Sequence, residues 1–175
     1  MKENIEEQFI QACGEYSDAL FRFCHFKLRD RELAKDLVQE TFMRTWNYLR
    51  RGEKIDNLRA FFYRTLGNAI IDEYRKKKEV SLEKLFESGM SHPAAAEAEN
   101  MTNRLDGELA LAALEEIPEM YKEVIFMKYV EDMSVKEIAY IIKESENAVS
   151  VKIHRGLKKI RKILNDKEQK IYDQE

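Results

Sequence analysis

The residues of this chain that could do chemistry are mainly basic, and the densest group lies near the C-terminus. Positions 147–165 hold six Lys and Arg and no Asp or Glu, although the whole chain of 175 residues has a net charge of −3. Lys and Arg side chains on one helix suit nucleic-acid phosphates, and short polar side chains such as Asn147 and Ser150 can reach base edges. The segment therefore predicts a nucleic-acid-binding surface. The alternative is a solvated helix face that only keeps the protein soluble.

The net charge is distributed unevenly along the chain. Residues 1–78 carry 16 basic and 13 acidic side chains, residues 79–119 carry 2 and 10, and residues 120–175 carry 12 and 10. The first block ends in a second basic cluster at positions 75–78. Two mildly basic blocks thus flank an acidic middle, so the negative total does not argue against a nucleic-acid partner.

The sequence contains no pattern typical of catalysis, of a metal site or of a membrane span. No C-x-x-C or H-x-x-x-H spacing occurs, and Cys13 and Cys24 fall on the apolar side of one predicted helix, as small core residues do. No apolar run approaches the roughly 20 residues needed to cross a bilayer, and the acidic N-terminus lacks the apolar core of an export signal. We therefore expect no enzyme activity, no cofactor, no membrane insertion and a cytoplasmic location.

Hydrophobic periodicity near 3.6 residues predicts the helices that must position the basic groups. Asp30 and the Ser134–Glu137 capping box mark two helix starts. The apolar stripes place Tyr74 and Tyr129 inside their helices' buried faces. The predicted helices cover approximately residues 4–29, 31–49, 58–78, 105–117, 118–131, 135–142 and 146–165.

These elements predict an all-α fold of two small helical domains joined by a flexible linker. The first three helices make a three-helix domain over residues 1–78, and the last helices make a helix-turn-helix domain over residues 105–175. Residues 79–104 lack sustained apolar periodicity and carry five acids against two bases, so they are assigned to the linker.

Two motifs, in this order, resemble the sigma factors of bacterial RNA polymerase. The segment 36–46, DLVQETFMRTW, is similar to the D-L-x-Q-E-x-F-x-x-x-W signature of sigma region 2, and FFYRTLGNAIIDEYR at 61–75 is similar to the helix that follows it. ALEEIPEMYKEV at 113–124 and the helix-turn-helix at 134–155 resemble region 4. Since only regions 2 and 4 are represented, the resemblance is to the extracytoplasmic-function, or group 4, sigma factors.

This resemblance implies a dissociable subunit that binds the polymerase core, recognises the −10 and −35 promoter elements and assists strand opening. It further implies an anti-sigma factor as a partner and an acidic linker that follows the basic RNA path of the polymerase. The implied core-binding residues are Asp36, Gln39, Glu40 and Arg44. The implied −10 residues are Arg59, Tyr63, Arg64, Asn68, Asp72, Arg75 and Lys76. The implied −35 residues are Asn147, Ser150, Lys152, Arg155 and Lys158.

The turn of the helix-turn-helix departs from the family pattern. It reads Lys143-Glu144-Ser145, without the frequent glycine, so any left-handed residue there must carry a Cβ at a cost of roughly 1 kcal/mol or more. Two other functions remain open at this point. A stand-alone helix-turn-helix regulator would bind specific duplex DNA without polymerase, and a helical adaptor would bind only protein.

Overall fold

The computed structural model describes residues 2–87 and 112–172, with side chains over residues 5–77 and 112–166. All regular secondary structure in these residues is helical, in agreement with the predicted all-α class. The chain divides into two compact units, with residues 2–87 in the first and residues 112–172 in the second. The predicted linker residues 88–104 and the start of the predicted helix 105–117 lie outside the described residues.

The first unit is a bundle of three helices: α1 (Lys2–Leu28), α2 (Arg31–Arg50) and α3 (Leu58–Glu87). Asp30 caps α2, as predicted, because its Oδ1 accepts a hydrogen bond from Leu33 N at 3.0 Å. Asn57 acts in the same way before α3, accepting from Ala60 N at 2.9 Å. The third helix continues through Glu87, past residue 78 where the sequence predicts its end.

The core of this bundle combines apolar and aromatic side chains with two buried threonines. Phe62 of α3 is surrounded edge-on by the rings of Phe9, Tyr16 and Phe42, with centroids 5.1 to 6.4 Å away. The hydroxyl of Thr41 donates to the carbonyl oxygen one helical turn back at 2.8 Å, as Thr45 does, so neither buried hydroxyl lacks a partner. The buried side chains of the bundle include Leu20, Phe23, Cys24, Ala34, Leu37, Val38, Phe62, Tyr63, Leu66, Ala69 and Ile70.

The second unit contains a helical segment at residues 112–116, then α4 (Glu119–Ile125), a π-helical turn (Phe126–Val130), α5 (Val135–Ile142) and α6 (Glu146–Tyr172). The predicted single helix over 118–131 is therefore wrong in its second half. The π-helical turn adds one residue to the helical repeat, so the side chains after Ile125 rotate relative to an α-helix. Phe126 and Met127 are buried as a result, and Tyr129, which was predicted to be inside, is 57% exposed.

The core of the second unit packs α4 and α5 against α6. Val124, Ile138, Val149 and Met133 are fully or almost fully buried there. Gly156 of α6 is also buried and faces α4: a Cβ built on it would lie 2.4 Å from Ile125 Cδ1 and 3.1 Å from Tyr121 Cβ. The absence of a side chain at this position therefore sets how closely α6 approaches α4.

Candidate nucleic-acid interface

The turn between α5 and α6 is fixed by local hydrogen bonds at both helix starts. Ser134 N donates to Glu137 Oε2 at 2.9 Å and Glu137 N donates to Ser134 Oγ at 3.2 Å, which confirms the predicted capping box. Lys143 ends α5 in the left-handed conformation, at φ 58° and ψ 43°, so a residue with a Cβ does take the position where the family often has glycine. Ser145 Oγ then accepts from Ala148 N at 3.2 Å and caps α6.

The solvent face of α6 presents most of the residues predicted to contact the −35 element. Asn147, Ser150, Arg155 and Lys158 are exposed, and positions 147, 151, 155 and 158 follow one face of the helix at intervals of three and four. Ser150 Oγ donates to Glu146 O at 2.9 Å, so its hydroxyl proton is already used within the helix. The face nevertheless retains the amide of Asn147 and two cations for a nucleic acid.

Lys152 is placed differently from the other predicted −35 residues. Its side chain is only 19% exposed, and its Nζ is hydrogen-bonded and ion-paired to Glu144 Oε1 in the turn. The pair ties the turn to the second helical turn of α6. In this structure Lys152 therefore holds the turn in place and does not project from the solvent face.

A basic groove lies farther along α6, where the helix passes Tyr121 of α4. The groove has a volume of about 580 Å³, and Lys159 Nζ sits 5.9 Å from the centre of the Tyr121 ring. A ring face beside an ammonium group favours the cation at this site. The groove is lined by Tyr121, Arg155, Lys158, Lys159, Arg161, Lys162, Asn165 and Asp166. Tyr121 was not among the predicted binding residues, because its ring lies beside these cations only once α4 has packed on α6.

In the first unit, residues from two predicted sites meet in one groove between α2 and α3. The groove has a volume of about 290 Å³, and Glu40 and Arg44 line it from α2 while Asp72, Arg75 and Lys76 line it from α3. The predicted core-binding set and part of the predicted −10 set thus share one surface. Asp36 and Gln39, also predicted for core binding, are exposed on α2.

The charged groups of this α2–α3 groove are paired with one another. Arg44 Nη2 lies 2.7 Å from Glu40 Oε1, Lys76 Nζ lies 2.6 Å from Glu73 Oε1, and Arg75 Nη1 lies 3.9 Å from Asp72 Oδ1. The hydrogen bond to the Glu73 carboxylate and its negative charge raise the pKa of Lys76 above its ordinary value. Lys76 therefore remains a cation throughout the neutral range.

The predicted −10 residues on α3 divide into exposed and buried members. Asn68, Asp72, Arg75 and Lys76 are exposed and Arg64 is half-buried. Tyr63 is fully buried, with its ring centroid 5.4 Å from that of Phe23, so in this structure its ring is part of the bundle core. The spacing of apolar residues in the sequence did not show that Tyr63 lies on the inward face of α3.

Arg59 and Tyr74 of α3 also lie in surroundings that the sequence did not predict. Arg59 is half-buried, and its guanidinium carbon lies 5.9 Å from the centre of the Tyr16 ring, so it is held at the α1–α3 contact. Tyr74 was predicted to be buried but is 47% exposed, and its hydroxyl donates to Lys27 O at 2.5 Å. Ile71 is also exposed, on the same helix face as Arg64, Asn68 and Arg75. Ile71 was not among the predicted binding residues.

The two cysteine thiols are other groups of the first unit that could do chemistry. Burial raises the pKa of Cys13 to about 11 and that of Cys24 to about 12, so both thiols are protonated at neutral pH. No group of three or more His, Cys, Asp or Glu suited to a metal ion occurs within residues 2–87 and 112–172. Over the same residues, none of the helices has the length and apolar content needed to cross a membrane.

Comparison with known proteins gives matches in both halves of the chain. Residues 14–80 match the family model of sigma-70 region 2, and residues 107–160 match that of sigma-70 region 4. The ECF RNA polymerase sigma factor SigW of Bacillus subtilis is 25% identical, over 95% of this chain and 94% of its own length. SigM of the same organism is 26% identical, over 86% of this chain and 91% of its own length.

Two solved structures share the fold. Sigma factor RpoE, in complex with the anti-sigma factor NepR from Bartonella quintana, superposes with a TM-score of 0.72 at 22% identity and covers 91% of this chain and 98% of that one. CnrH, in complex with the cytosolic domain of CnrY, has a TM-score of 0.64 at 20% identity and covers 92% of this chain and 90% of that one.

Proposed function

The chain belongs to the extracytoplasmic-function sigma factors of the sigma-70 family, and on that premise we propose which of its surfaces perform the three tasks of such a factor. A sigma factor binds the core of RNA polymerase, recognises the −10 and −35 promoter elements and supports strand opening. The observation that carries the assignment is the capped helix-turn-helix, whose α6 presents Asn147, Arg155 and Lys158 to solvent. Region 2 precedes it in the order the family requires.

We assign recognition of the −35 duplex to the solvent face of α6. The major groove admits an α-helix, and the N-terminal turns of a recognition helix contact base edges. Asn147 can form a bidentate contact to adenine and Arg155 to guanine, with Ser150 beside them as an acceptor. Lys158 and the basic groove beyond it suit phosphates. Lys152 supports this face through its pair with Glu144.

The −10 element is assigned to the outer face of α3. Arg64, Asn68 and Arg75 follow one line along the helix, with Asp72 and Lys76 beside it at the α2–α3 groove. Opening DNA costs about 1.4 kcal/mol per base-pair step, so an opened strand must be held by new contacts. Asparagine and arginine side chains can supply hydrogen bonds to an unpaired base and its phosphates.

Core binding is assigned to the exposed face of α2, with Asp36, Gln39, Glu40 and Arg44. A charge exchange tests this directly: the double variant Glu40→Arg/Arg44→Glu retains an i,i+4 ion pair and so changes helix stability by only a few tenths of a kcal/mol. We expect this double variant to lose binding to the polymerase core, because each exchanged side chain now meets a group of like charge on the core. The exchange Glu119→Lys/Lys122→Glu, on an i,i+3 ion pair of α4 in the second unit, is the matched control. Unchanged core affinity in the first variant would remove these residues from the interface.

The same function suggests the limits of the two domains and the cellular location of the protein. We propose that residues 1–78 and 105–175 are the two functional domains, with the acidic segment 79–104 between them. The polymerase performs the chemistry, so the chain supplies no catalytic group and needs no cofactor. A factor that works on the chromosome acts in the cytoplasm.

We also propose an anti-sigma partner, because the similar sigma factor RpoE was solved in complex with the anti-sigma factor NepR. Such a partner would cover the core-binding face of α2. Coexpression with an anti-sigma protein that binds this chain should abolish core binding. Core binding that persists beside a stable sigma–anti-sigma complex would contradict this arrangement.

Run-off transcription with purified core polymerase tests the function as a whole. On a promoter library, the chain should stimulate templates that share two elements spaced as −10 and −35. Specific duplex binding without core would favour a stand-alone helix-turn-helix regulator. An absence of DNA binding both with and without core would favour a protein-only adaptor. A premelted −10 template should rescue the Asn68→Ala variant if Asn68 acts in strand opening. Gln11→Ala, which removes an exposed amide on α1, is the control and should leave transcription from both templates unchanged.

A further inference from the structure

An apolar side chain occupies the middle of the surface that we assign to base recognition. Val151 is 40% exposed and is the one large hydrophobic residue of α6 that is exposed among its described side chains. Asn147 precedes it and Arg155 follows it by four residues, so the three side chains lie in one row. Val151 therefore sits between two groups that can hydrogen-bond to bases.

The polar neighbours of Val151 are partly committed to other partners. On one side, Ser150 Oγ donates its proton to Glu146 O. On the other side, Lys152 is drawn toward the turn by its ion pair with Glu144. The two methyl groups of Val151 thus form the apolar part of the central face, and they offer no hydrogen bond to a base.

Only one group in the major groove of unmodified DNA matches such a surface. Thymine carries a methyl group at C5, whereas the other base edges present hydrogen-bond donors and acceptors. An apolar side chain gains free energy by covering that methyl group, and it leaves a donor or acceptor without a partner if it faces another base edge. Valine is branched at Cβ and therefore stiff, so its methyl groups are held in position before binding.

We propose that Val151 is a specificity-determining residue that selects thymine in the −35 duplex through contact with its C5-methyl group. The proposal rests on the proposed function, in which α6 enters the major groove. It assigns a preference for one base to an apolar residue. The polar residues Asn147 and Arg155 would specify the flanking positions of the same row.

The test removes the methyl group from the DNA and the methyl groups from the protein separately. A promoter selected by run-off transcription is prepared with each thymine of the −35 element replaced in turn by deoxyuridine, which lacks only the methyl. Binding of the holoenzyme, full chain with core polymerase, is measured on each duplex. At one thymine we expect affinity to fall about fourfold, as for the loss of one buried methyl-sized group.

The Val151→Ala variant supplies the second half of the comparison. It should bind the thymine duplex about fourfold more weakly than the wild type and should not distinguish thymine from deoxyuridine at that position. Alanine is the better helix former, so α6 remains folded, and the circular dichroism spectrum of the variant checks this. Val130→Ala, an exposed valine outside α6, is the matched control and should keep the full methyl dependence.

The possible failures are distinguishable. If the holoenzyme selects no promoter, the proposed function itself fails. If it binds a −35 element that has no thymine, or shows no methyl dependence at any thymine, the role of Val151 is overturned while the sigma function stands. Methyl dependence that persists in Val151→Ala overturns it as well, because the methyl group is then read by another residue.

Discussion

The close approach of α6 to α4 at Gly156 allows a quantitative prediction about the helix that we assign to −35 recognition. The substitution Gly156→Ala adds one methyl group at a buried position. Its Cβ would meet Ile125 Cδ1 at 2.4 Å and Tyr121 Cβ at 3.1 Å. The isoleucine methyl lies at the end of a side chain but is itself buried, and the tyrosine Cβ is fixed to the α4 backbone. Either α6 must shift or the isoleucine must leave its rotamer.

The expected magnitude follows from two opposing effects. Replacing glycine by alanine inside a helix contributes about 1 kcal/mol of helix stability. Overpacking a closely packed contact costs about 1–3 kcal/mol. We expect a net loss of about 1 kcal/mol in the free energy of unfolding of the second unit. Gly14 of α1 is the matched control, because its Cβ would meet nothing within 4 Å, so Gly14→Ala should stabilise the first unit by about 0.5–1 kcal/mol.

The two units can be followed separately in the full chain. Trp46 is the only tryptophan and packs against Phe9 in the first unit, with ring centroids 5.1 Å apart, so its fluorescence reports unfolding of that unit. Far-ultraviolet circular dichroism reports both. In urea, Gly156→Ala should lower the circular dichroism transition and leave the Trp46 transition unchanged, whereas Gly14→Ala should raise the Trp46 transition. The packing argument is refuted if Gly156→Ala raises the free energy of unfolding of the second unit by about 0.5–1 kcal/mol or more, which is the gain expected for Gly14→Ala in the first unit.

Three further predictions concern the basic groove of α6, the capping box at Ser134 and the buried ring of Tyr63. The double variant Lys159→Gln/Lys162→Gln should weaken −35 duplex binding and reduce the slope of log affinity against log salt by up to about 1.8, if each lysine neutralises one phosphate; Lys136→Gln on α5 should leave the slope unchanged. Ser134→Ala removes the capping box and should lower the free energy of unfolding by about 1 kcal/mol in the circular dichroism transition, and no loss would show that the cap is dispensable. Tyr63→Ala should destabilise the first unit by about 3–5 kcal/mol, measured by Trp46 fluorescence, and a selective loss of −10 binding with normal stability would restore its predicted DNA role.

Local signals in the sequence predicted the parts of the fold that depend on a few neighbouring residues. The caps at Asp30 and Ser134 are confirmed, since each rests on a side chain that reaches a backbone amide three residues away. The predicted start of α6 is also confirmed. The sequence left open whether the turn contains a left-handed residue, and Lys143 adopts that conformation. These features need no knowledge of distant residues, because the partner atoms are close in the sequence.

The features that sequence reasoning missed depend on packing between helices. The π-helical turn at Phe126–Val130 leaves the pattern of apolar residues compatible with a plain helix, and only the packed structure shows Tyr129 turned outward. Tyr63 is buried although it was predicted to contact DNA, and Tyr74 is exposed although it was predicted to be buried. The reason is similar, because the packing of all three helices decides which face of α3 meets α1. The pairing of Lys152 with Glu144 spans eight residues across a turn and was likewise not visible in the spacing.

As a sigma factor, this chain should direct core polymerase to a two-element promoter through α3 and α6. The most direct measurement is run-off transcription by core polymerase on one selected promoter and on two versions of it, one with the −10 element scrambled and one with the −35 element scrambled. Transcripts should appear only when chain and core are both present, and each scrambled template should give strongly reduced transcription. Equal transcription from all three templates, or no dependence on the chain, would contradict it.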